Sequence, residues 1–286
     1  MNALNSAANA LFDLLLAPLE AVGGWLALTL VSGIFGVLAL VVFKHISWQD
    51  GIKGTKDKIK GHMIEIRIYQ DDLGLVSRAI GKVLLRNLQY VVLNFGPFIP
   101  LMVPFGMVAA QLVVRYGFEP VAVQQMGEDH MAGSAVTFEV HFADSARAAA
   151  GDLELELPDG VALASPLVRI PGQGRAFVEV VATEPGVHEL VFVSGDSRET
   201  KLLHAGAEGV QREMQPERGR GFLAALLWPA EEAFSGDSPF ELIRTVYPER
   251  DLGWLPGAGP AGVLIAFVLL SMLFGFAALK PLGVQI

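Results

Sequence analysis

The sequence contains no cysteine. A disulfide framework, a zinc–thiolate centre and a thiol nucleophile are therefore excluded as means of stabilising the fold or of performing chemistry. The signature motifs of phosphate-binding loops, zinc proteases and serine hydrolases are missing from it as well. We therefore expect a protein without enzymatic activity, without a cofactor and without a bound metal.

Charge is scarce, and three long windows lack it entirely. Charged residues make up 18% of the 286 residues, hydrophobic residues make up 52%, and the mean hydropathy is +0.45. The uncharged windows hold 23 residues between Glu20 and Lys44, 28 between Arg86 and Arg115, and 28 between Asp251 and Lys280. A helix of roughly 20 apolar residues spans the hydrocarbon core of a bilayer. The windows predict three membrane spans.

The N-terminal region has no lysine or arginine before Lys44. It thus lacks the basic region of a secretory signal peptide, and we expect the first span to remain as a membrane helix. Leu4, Leu11 and Leu15 recur at helical spacing ahead of that span. This pattern favours an interfacial helix on the outer leaflet over residues 1–23. A helical extension of the first span is the alternative.

The charges that are present divide by sign. Residues 44–86 carry nine Lys/Arg and five Asp/Glu, whereas residues 118–217 carry six and seventeen. Short cytoplasmic loops are enriched in lysine and arginine, and long translocated domains are exempt from that rule. The basic loop is therefore predicted to be cytoplasmic and the acidic domain extracytoplasmic. With three spans, the N-terminus lies outside and the C-terminus inside, as expected for the inner membrane of a bacterium.

The basic loop has the periodicity of two helices. Ile52, Ile59, Met63 and Ile66 form one stripe at coiled-coil spacing. After the interruption at 71–74, a second stripe contains Leu73, Val76, Ile80, Leu84 and Leu88. Two amphipathic helices joined near residues 70–74 are predicted to form an antiparallel hairpin. Glycines at 54, 61, 74 and 81 either let the helices approach closely or leave the hairpin marginally stable.

The hairpin is the first candidate for a contact surface. Its lysines suit the anionic inner leaflet of the bilayer, and a ribosome, nascent chain or other protein partner is the alternative. The residues predicted to make contact are Lys53, Lys56, Lys58, Ile59, Lys60, Met63, Arg67, Arg78, Lys82 and Arg86.

The second span, NFGPFIPLMVPFGMV, is rich in proline. Each interior proline removes a helical hydrogen bond, and carbonyl groups freed at membrane depth need protein, water or polar side chains around them. A broken helix that borders a groove is one prediction, and an ordinary proline kink is the other. The groove candidates are Asn94, Pro97, Pro100, Pro104 and Gln111.

From about residue 120 the hydrophobic period changes to two. AVTFEVHF, LELELP, RAFVEVVA, VHELVFVSG and TKLLHAG alternate apolar and polar residues and are separated by glycine- and proline-containing turns. They predict an all-β, immunoglobulin-like sandwich. Glu139 and His141 share a strand face and, with 128–130, form an acid–histidine cluster; solvent-facing residues are favoured over a metal site there.

The predicted fold class is a membrane α-helical protein with an inserted all-β immunoglobulin-like sandwich domain. Its predicted segments are an outer interfacial helix (1–23), a first transmembrane helix (24–43), a basic cytoplasmic hairpin (44–88), a proline-broken second transmembrane helix (89–115), the β-sandwich (118–220), an interfacial return segment (221–256), a third transmembrane helix (257–279) and a cytoplasmic tail (280–286).

The arrangement of residues 24–115 and 255–286 resembles the three-span members of the YidC/Oxa insertase superfamily. The resemblance rests on the first span GWLALTLVSGIFGVLALVVFK, the hairpin and the second span NFGPFIPLMVPFGMV. It implies a groove, open to the cytoplasm, that helps polar segments enter the bilayer. Superfamily members often carry a cation in that groove; here Arg86 and Arg115 lie at the ends of the second span. The chain is also similar to uncharacterised bacterial membrane proteins.

Two functions are consistent with these features. The first is an insertase-like or chaperone-like protein that assists the insertion or assembly of membrane proteins through its groove. The second is a non-catalytic accessory or scaffold subunit, which couples a cytoplasmic partner to an outer one through the β-sandwich. We expect the lipid bilayer and membrane-protein substrates or partner subunits as binding partners, and no nucleic acid.

Overall fold

The computed structural model describes residues 2–124, 135–206, 213–253 and 257–284. The chain divides into two compact units. One consists of Met1–Leu26 with Gly106–Ala266, and the other of Ala27–Phe105 with Phe267–Ile286.

Helices long and apolar enough to cross a membrane occur at three places in the described residues, which confirms the predicted helical membrane part. They are α2 (Gly24–Ile46), the stretch formed by α4 (Leu73–Phe95) and α5 (Phe98–Tyr116), and α7 (Gly259–Leu282). Each corresponds to one of the uncharged windows of the sequence. The length and composition of these helices indicate a membrane protein.

Close packing within the second unit joins α2, α5 and α7. The rings of Phe35, Phe105 and Phe267 form a cluster with centroid distances of 4.9–5.9 Å. Ser32 and Ser271 are buried, and each hydroxyl donates to a carbonyl oxygen of its own helix, to Leu28 and Phe267 respectively. No hydroxyl hydrogen is thus left unpaired at these two serines, as a low-dielectric interior requires.

The break in the second span lies between α4 and α5, at Gly96 and Pro97. Pro100 falls in the first turn of α5, where a missing N–H removes no helical hydrogen bond. Pro104 is the proline inside that helix. Pro97 therefore lies between two helices, Pro100 lies in the first turn of α5, and Pro104 lies in the interior of α5.

The basic loop forms the predicted hairpin. Helix α3 (Gln49–Ile68) is followed by a turn at residues 69–72 and by α4, and the two helices pack against each other. Helix α4 continues from the hairpin into the apolar window without interruption as far as Phe95.

The first unit contains the N-terminal helix α1 (Asn2–Glu20), the short helix α6 (Phe222–Leu227) and a β domain. The domain has a three-stranded antiparallel sheet, in the order β2-β6-β7, and a six-stranded sheet, β3-β5-β1-β9-β8, in which β4 also pairs with β5. The strands are β1 (Val136–Phe142), β2 (Leu153–Glu156), β3 (Val161–Leu163), β4 (Val168–Ile170), β5 (Arg175–Ala182), β6 (Gly186–Ser194), β7 (Ser197–Ala205), β8 (Glu217–Gly219) and β9 (Phe240–Thr245).

The core of the β domain follows the alternation seen in the sequence. Val136, Phe138, Val140 and Phe142 of β1 are buried, as predicted. The rings of Phe138 and Phe192, on different sheets, lie 5.9 Å apart, so the core is formed between the sheets. Strand β9 pairs with β1 inside the larger sheet. The domain therefore extends past residue 220, the predicted end of the β-sandwich.

Candidate functional site

Polar contacts fix the geometry of the α3–α4 hairpin. The Asp72 carboxylate caps α4 by accepting hydrogen bonds from the backbone N–H groups of Gly74 and Leu75, at 2.9 and 3.1 Å. Glu65 of α3 contacts His62 Nδ1 at 2.9 Å and Lys82 Nζ of α4 at 3.3 Å. The hydrogen bonds from His62 and from Lys82 lower the pKa of Glu65. Glu65 therefore links the two helices as a carboxylate.

The two helices meet along one row of small and medium side chains on each. On α3, Ile52 and Thr55 are buried and Ile59 is half-buried. On α4, Ala79 is buried, and Val76 and Val83, at three- and four-residue spacing from it, are half-buried. The row through Ala79 is therefore the face of α4 that packs on α3.

A second row of apolar residues on α4 is exposed. It consists of Leu73, Ile80, Leu84 and Leu88, which are 79%, 45%, 66% and 63% exposed. We call these four residues the α4 stripe. At 100° per residue, the stripe lies about a quarter turn from the row that packs on α3. Val91 and Phe95 continue it into the apolar window and are exposed as well.

The predicted stripe of the second helix also included Val76, which is half-buried, whereas its other four members are exposed. The physical reason is that α4 carries apolar residues on two adjacent faces. The shorter side chains of Val76, Ala79 and Val83 allow the closer helix contact, and the larger ones are left outside. A single sequence cannot show which of two apolar rows meets a neighbouring helix.

The predicted contact residues of the hairpin remain accessible in most cases. Lys53, Lys56 and Lys60 follow at three- and four-residue spacing and share a face of α3, whereas Lys58 lies on the opposite side. These four lysines, Met63, Arg67, Arg78 and Lys82 are exposed, and Ile59 and Arg86 are half-buried. Arg86 donates a hydrogen bond to the Gln89 side chain at 2.7 Å.

The close-approach explanation of the hairpin glycines is wrong. A Cβ atom added at Gly54, Gly61 or Gly81 would meet nothing within 4 Å, and one at Gly74 would meet only the Asp72 carboxylate. These glycines therefore do not bring α3 and α4 together. The close approach that glycine does permit occurs in the membrane part, at Gly36 of α2, where an added Cβ would lie 2.1 Å from the Ser271 carbonyl oxygen of α7.

The groove candidates of the second span lie in different surroundings. Asn94 is 8% exposed and donates to the Tyr90 carbonyl oxygen, and Pro97 is also buried. Pro100 and Pro104 are exposed. Gln111 is 2% exposed and donates to the Asn9 side chain of α1. Asn94 and Gln111 are each enclosed by protein, and that the five residues line one groove stays a prediction.

A buried cation lies at the end of α5. The Arg115 side chain is fully buried and donates to Asp13 Oδ1 at 2.7 Å and to Glu213 Oε1 at 2.8 Å. It also donates to the Asn9 carbonyl oxygen at 3.4 Å. Two carboxylates and a carbonyl bind the Nη1 and Nη2 groups of this cation, so its charge serves to attach α1 and residue 213 to α5.

The acid–histidine pair on β1 is held by neighbouring protein groups. His141 Nε2 lies 2.6 Å from Glu139 Oε1, and Arg175 Nη1 lies 3.7 Å from the same oxygen. Among the described residues no group of three or more metal-ligating side chains occurs. Glu128, Asp129 and His130 lie outside the described residues.

The β domain contains a buried polar cluster that the sequence did not reveal. The Lys201 ammonium of β7 is fully buried and pairs with the nearly buried Glu231 carboxylate, which also accepts the Leu202 N–H at 3.1 Å. Lys201 donates to the Gln215 carbonyl oxygen at 2.8 Å. The Tyr247 hydroxyl donates to the Leu202 carbonyl oxygen, and burial raises the pKa of Tyr247. The cluster fastens segments 213–215 and 228–231 to β7.

His204 gives the β domain a predicted sensitivity to acid. Burial, with a further effect of the Lys201 charge, lowers the pKa of His204 to about 4, whereas an unfolded histidine has a pKa of about 6.5. Between these values the unfolded state binds more protons, so stability is lost as pH falls from about 6.5 to about 4, by about 3 kcal/mol in total. Hydrogen exchange of β6 and β7 amides at several pH values measures this loss.

The matched variants for this prediction are His204→Phe and His45→Gln. The first removes the titrating group and should flatten the pH dependence of exchange in β6 and β7. The second removes an exposed histidine of α2 and should leave the dependence unchanged. If the stability of the β domain in His204→Phe fell equally steeply with decreasing pH, other titrating groups would be responsible for the effect.

Comparison with protein-family models finds no match for this chain, and comparison with curated proteins finds none either.

Proposed function

We propose that this membrane protein is a non-enzymatic assembly factor whose cytoplasmic hairpin binds apolar segments of other membrane proteins along the α4 stripe. The observation that carries the proposal is the exposure of Leu73, Ile80, Leu84 and Leu88 on a helix that continues into a membrane span. Large exposed apolar patches are uncommon on soluble surfaces and mark binding sites for protein or membrane. A segment bound on the stripe has a continuous apolar path along α4 toward the bilayer.

The resemblance to the YidC/Oxa insertase superfamily supports the same function. The order of span, basic hairpin, broken span and final span is the feature that the two share. The superfamily relationship and an insertase activity are parts of this proposal. The orientation is another part: the lysine-rich hairpin and the C-terminus lie in the cytoplasm of a bacterium, and the N-terminus and the acidic β domain lie outside its inner membrane.

The exposed lysines provide the second half of the proposed site. The row of Lys53, Lys56 and Lys60 suits an anionic lipid surface, at about 1 kcal/mol for each lysine near the bilayer. An apolar stripe on α4 and a basic row on α3 together fit a hairpin that lies close to the inner leaflet and receives segments there.

A second candidate function is that of an accessory subunit with one constant partner. The burial of Asn94 and Gln111 favours it, because a groove for polar segments needs polar side chains that face water. For this role we propose that the β domain, with two antiparallel sheets packed through Phe138 and Phe192, is immunoglobulin-like and binds or spaces an outer partner.

Photo-crosslinking tests the proposal. A benzophenone amino acid at Leu84 or Leu88 is expected to crosslink to apolar segments of several different membrane proteins, including nascent chains. The same group at Gln70, an exposed position in the turn of the hairpin, is the control and should crosslink much less. A single constant partner at Leu84 would favour the accessory role. Crosslinks to lipid alone would contradict both protein-binding functions.

A further inference from the structure

Helix α1 has its amphipathic faces reversed with respect to a helix of a soluble protein. The residues that face the protein include Asn2, Asn5, Asn9 and Asp13, which follow at three- and four-residue spacing. Leu4, Leu11, Leu14 and Leu15 are instead exposed, with Leu14 at 75%. Both charged residues of the helix, Asp13 and Glu20, are bound to α5 through Arg115 and Tyr116.

Three asparagines attach α1 to the segment that contains α6. Asn5 Nδ2 donates to the Ala225 carbonyl oxygen at 2.6 Å, Asn9 Nδ2 to that of Pro229 at 3.0 Å, and Asn2 Nδ2 to that of Ala233 at 3.2 Å. The three carbonyl groups lie within residues 225–233, in α6 and in the segment that follows it. The attachment is polar and directional, so it fixes which side of α1 faces outward.

Helix α6 adds its own exposed apolar side chains beside α1. Phe222, Leu223 and Leu227 are exposed, and α6 contains no charged residue. We call the outward residues of the two helices the α1–α6 apolar surface; its members are Leu4, Leu11, Leu14, Leu15, Phe222, Leu223 and Leu227. Seven large apolar side chains on two adjacent helices exceed the scattered exposure that is normal for a soluble domain.

The chain connection indicates that lipid covers this surface. Helix α1 ends at Glu20 and the candidate span α2 begins at Gly24. The Tyr116 hydroxyl, on the last residue of α5, donates to the Glu20 carboxylate at 2.9 Å. The C-terminal end of α1 therefore lies where two candidate spans end, which is at a membrane surface. From this membrane surface, α1 extends with its leucines facing outward and its polar residues facing the protein. This orientation suits a helix that lies in the interface of the leaflet where α2 begins.

We propose that α1 and α6 form one lipid-binding surface, which inserts the seven side chains into the headgroup–acyl boundary of the leaflet where α2 begins. The seven side chains are apolar, the two acidic residues of α1 are bound to α5, and α6 contains no charge, so the binding is apolar and independent of anionic lipid. Because α6 and β8 belong to the same unit and contact each other, the surface also fastens the β domain to the bilayer.

The absence of cysteine allows this proposal to be tested by single-site labelling of the whole protein. An environment-sensitive fluorophore is placed at Leu14→Cys or Leu223→Cys in phosphatidylcholine vesicles. Ile34→Cys, exposed in the middle of α2, is the lipid-facing control, and Asp196→Cys, exposed in the β6–β7 turn, is the water-facing control. We expect quenching by spin-labelled lipid at both test positions at a level near that of Ile34→Cys, with little quenching by iodide.

Three results would overturn the proposal. Iodide quenching at the level of Asp196→Cys would show that the surface faces water. Protection from both quenchers would show that a protein covers it. A requirement for phosphatidylglycerol would show that charge, rather than apolar insertion, drives binding. As a second variant, Leu11→Glu with the label at Leu14→Cys should lose at least half of the lipid quenching, while hydrogen exchange in β6 stays at the native level.

Discussion

Replacement of Glu231 by glutamine is expected to lower the free energy of unfolding of the β domain by about 3–5 kcal/mol. Glu231 is the carboxylate that neutralises Lys201, whose side chain is fully buried in β7. Removal of one member of a buried ion pair leaves the other without compensation in a low-dielectric interior. Burial already lowers the pKa of Lys201, and the Glu231 charge opposes that effect in the native protein.

The pH dependence of this variant distinguishes electrostatics from damaged packing. Without Glu231, the pKa of Lys201 in the folded state falls further below the value of about 10.4 for an unfolded lysine. The unfolded state then binds more protons over that range, so stability rises with pH. The difference in unfolding free energy between the native protein and Glu231→Gln should therefore become smaller between about pH 7 and pH 10. A difference in unfolding free energy that stays constant over this pH range would contradict the electrostatic explanation.

The measurement is urea unfolding of the β domain in the full-length, reconstituted protein, followed by proteolysis of the unfolded fraction. Glu156→Gln is the matched control, because its partner Arg198 and Glu156 itself are both more than half exposed. That change should cost about 1 kcal/mol or less. The double variant Lys201→Met/Glu231→Leu should recover most of the stability, since well-packed apolar residues replace a buried pair at little cost.

The coarse fold was predictable because its signals are direct physical requirements. An uncharged run long enough to cross a bilayer is a condition for spanning it, and the three windows correspond to α2, α4–α5 and α7. The alternation of VTFEVHF is the alternation of buried and outward residues in β1. The turn of the hairpin follows from the Asp72 cap, which the sequence shows as Asp-Asp-Leu-Gly.

The details of packing were not predictable from periodicity. Leucines at helical spacing look the same whether they face a protein core, as Leu16 of α1 does, or are exposed, as Leu14 is. On α4 the same ambiguity hides which of two apolar rows packs on α3. The Asn2–Asn5–Asn9 spacing was the signal that would have identified the inward face of α1, because three polar residues on one face need partners.

The buried charged residues could not be predicted from the sequence either. Lys201 occupies an inward position of the strand sequence TKLLHAG, and its partner Glu231 lies 30 residues further along the chain. Pairing across such a distance is decided by the fold of residues 213–231 onto β7. The sequence alone shows only a lysine in a strand, for which an outward position is the ordinary expectation.

Substitution of Gly36 by leucine is expected to destabilise the packing of α2 against α7 by about 3 kcal/mol or more. A Cβ at this position would lie 2.1 Å from the Ser271 carbonyl oxygen and 2.8 Å from its carbonyl carbon. These are backbone atoms, so no change of rotamer can relieve the overlap. Small residues at contacts between membrane helices allow this kind of approach, and Gly36→Ala should already show part of the loss.

A control in the same interface is provided by Gly275 of α7. Its added Cβ would lie 3.4 Å from the Gly36 carbonyl oxygen, which is close to ordinary contact, so Gly275→Ala should be nearly neutral. Gly106→Ala in α5 meets open space and should not destabilise the protein. Thermal unfolding in a mild detergent ranks the four variants by stability. Hydrogen exchange in α2 and α7 shows whether the loss of stability lies in these two helices. Equal losses for Gly36→Ala and Gly275→Ala would contradict the assignment of Gly36 as a point of close approach between α2 and α7, since only one of the two positions lacks room for a methyl group.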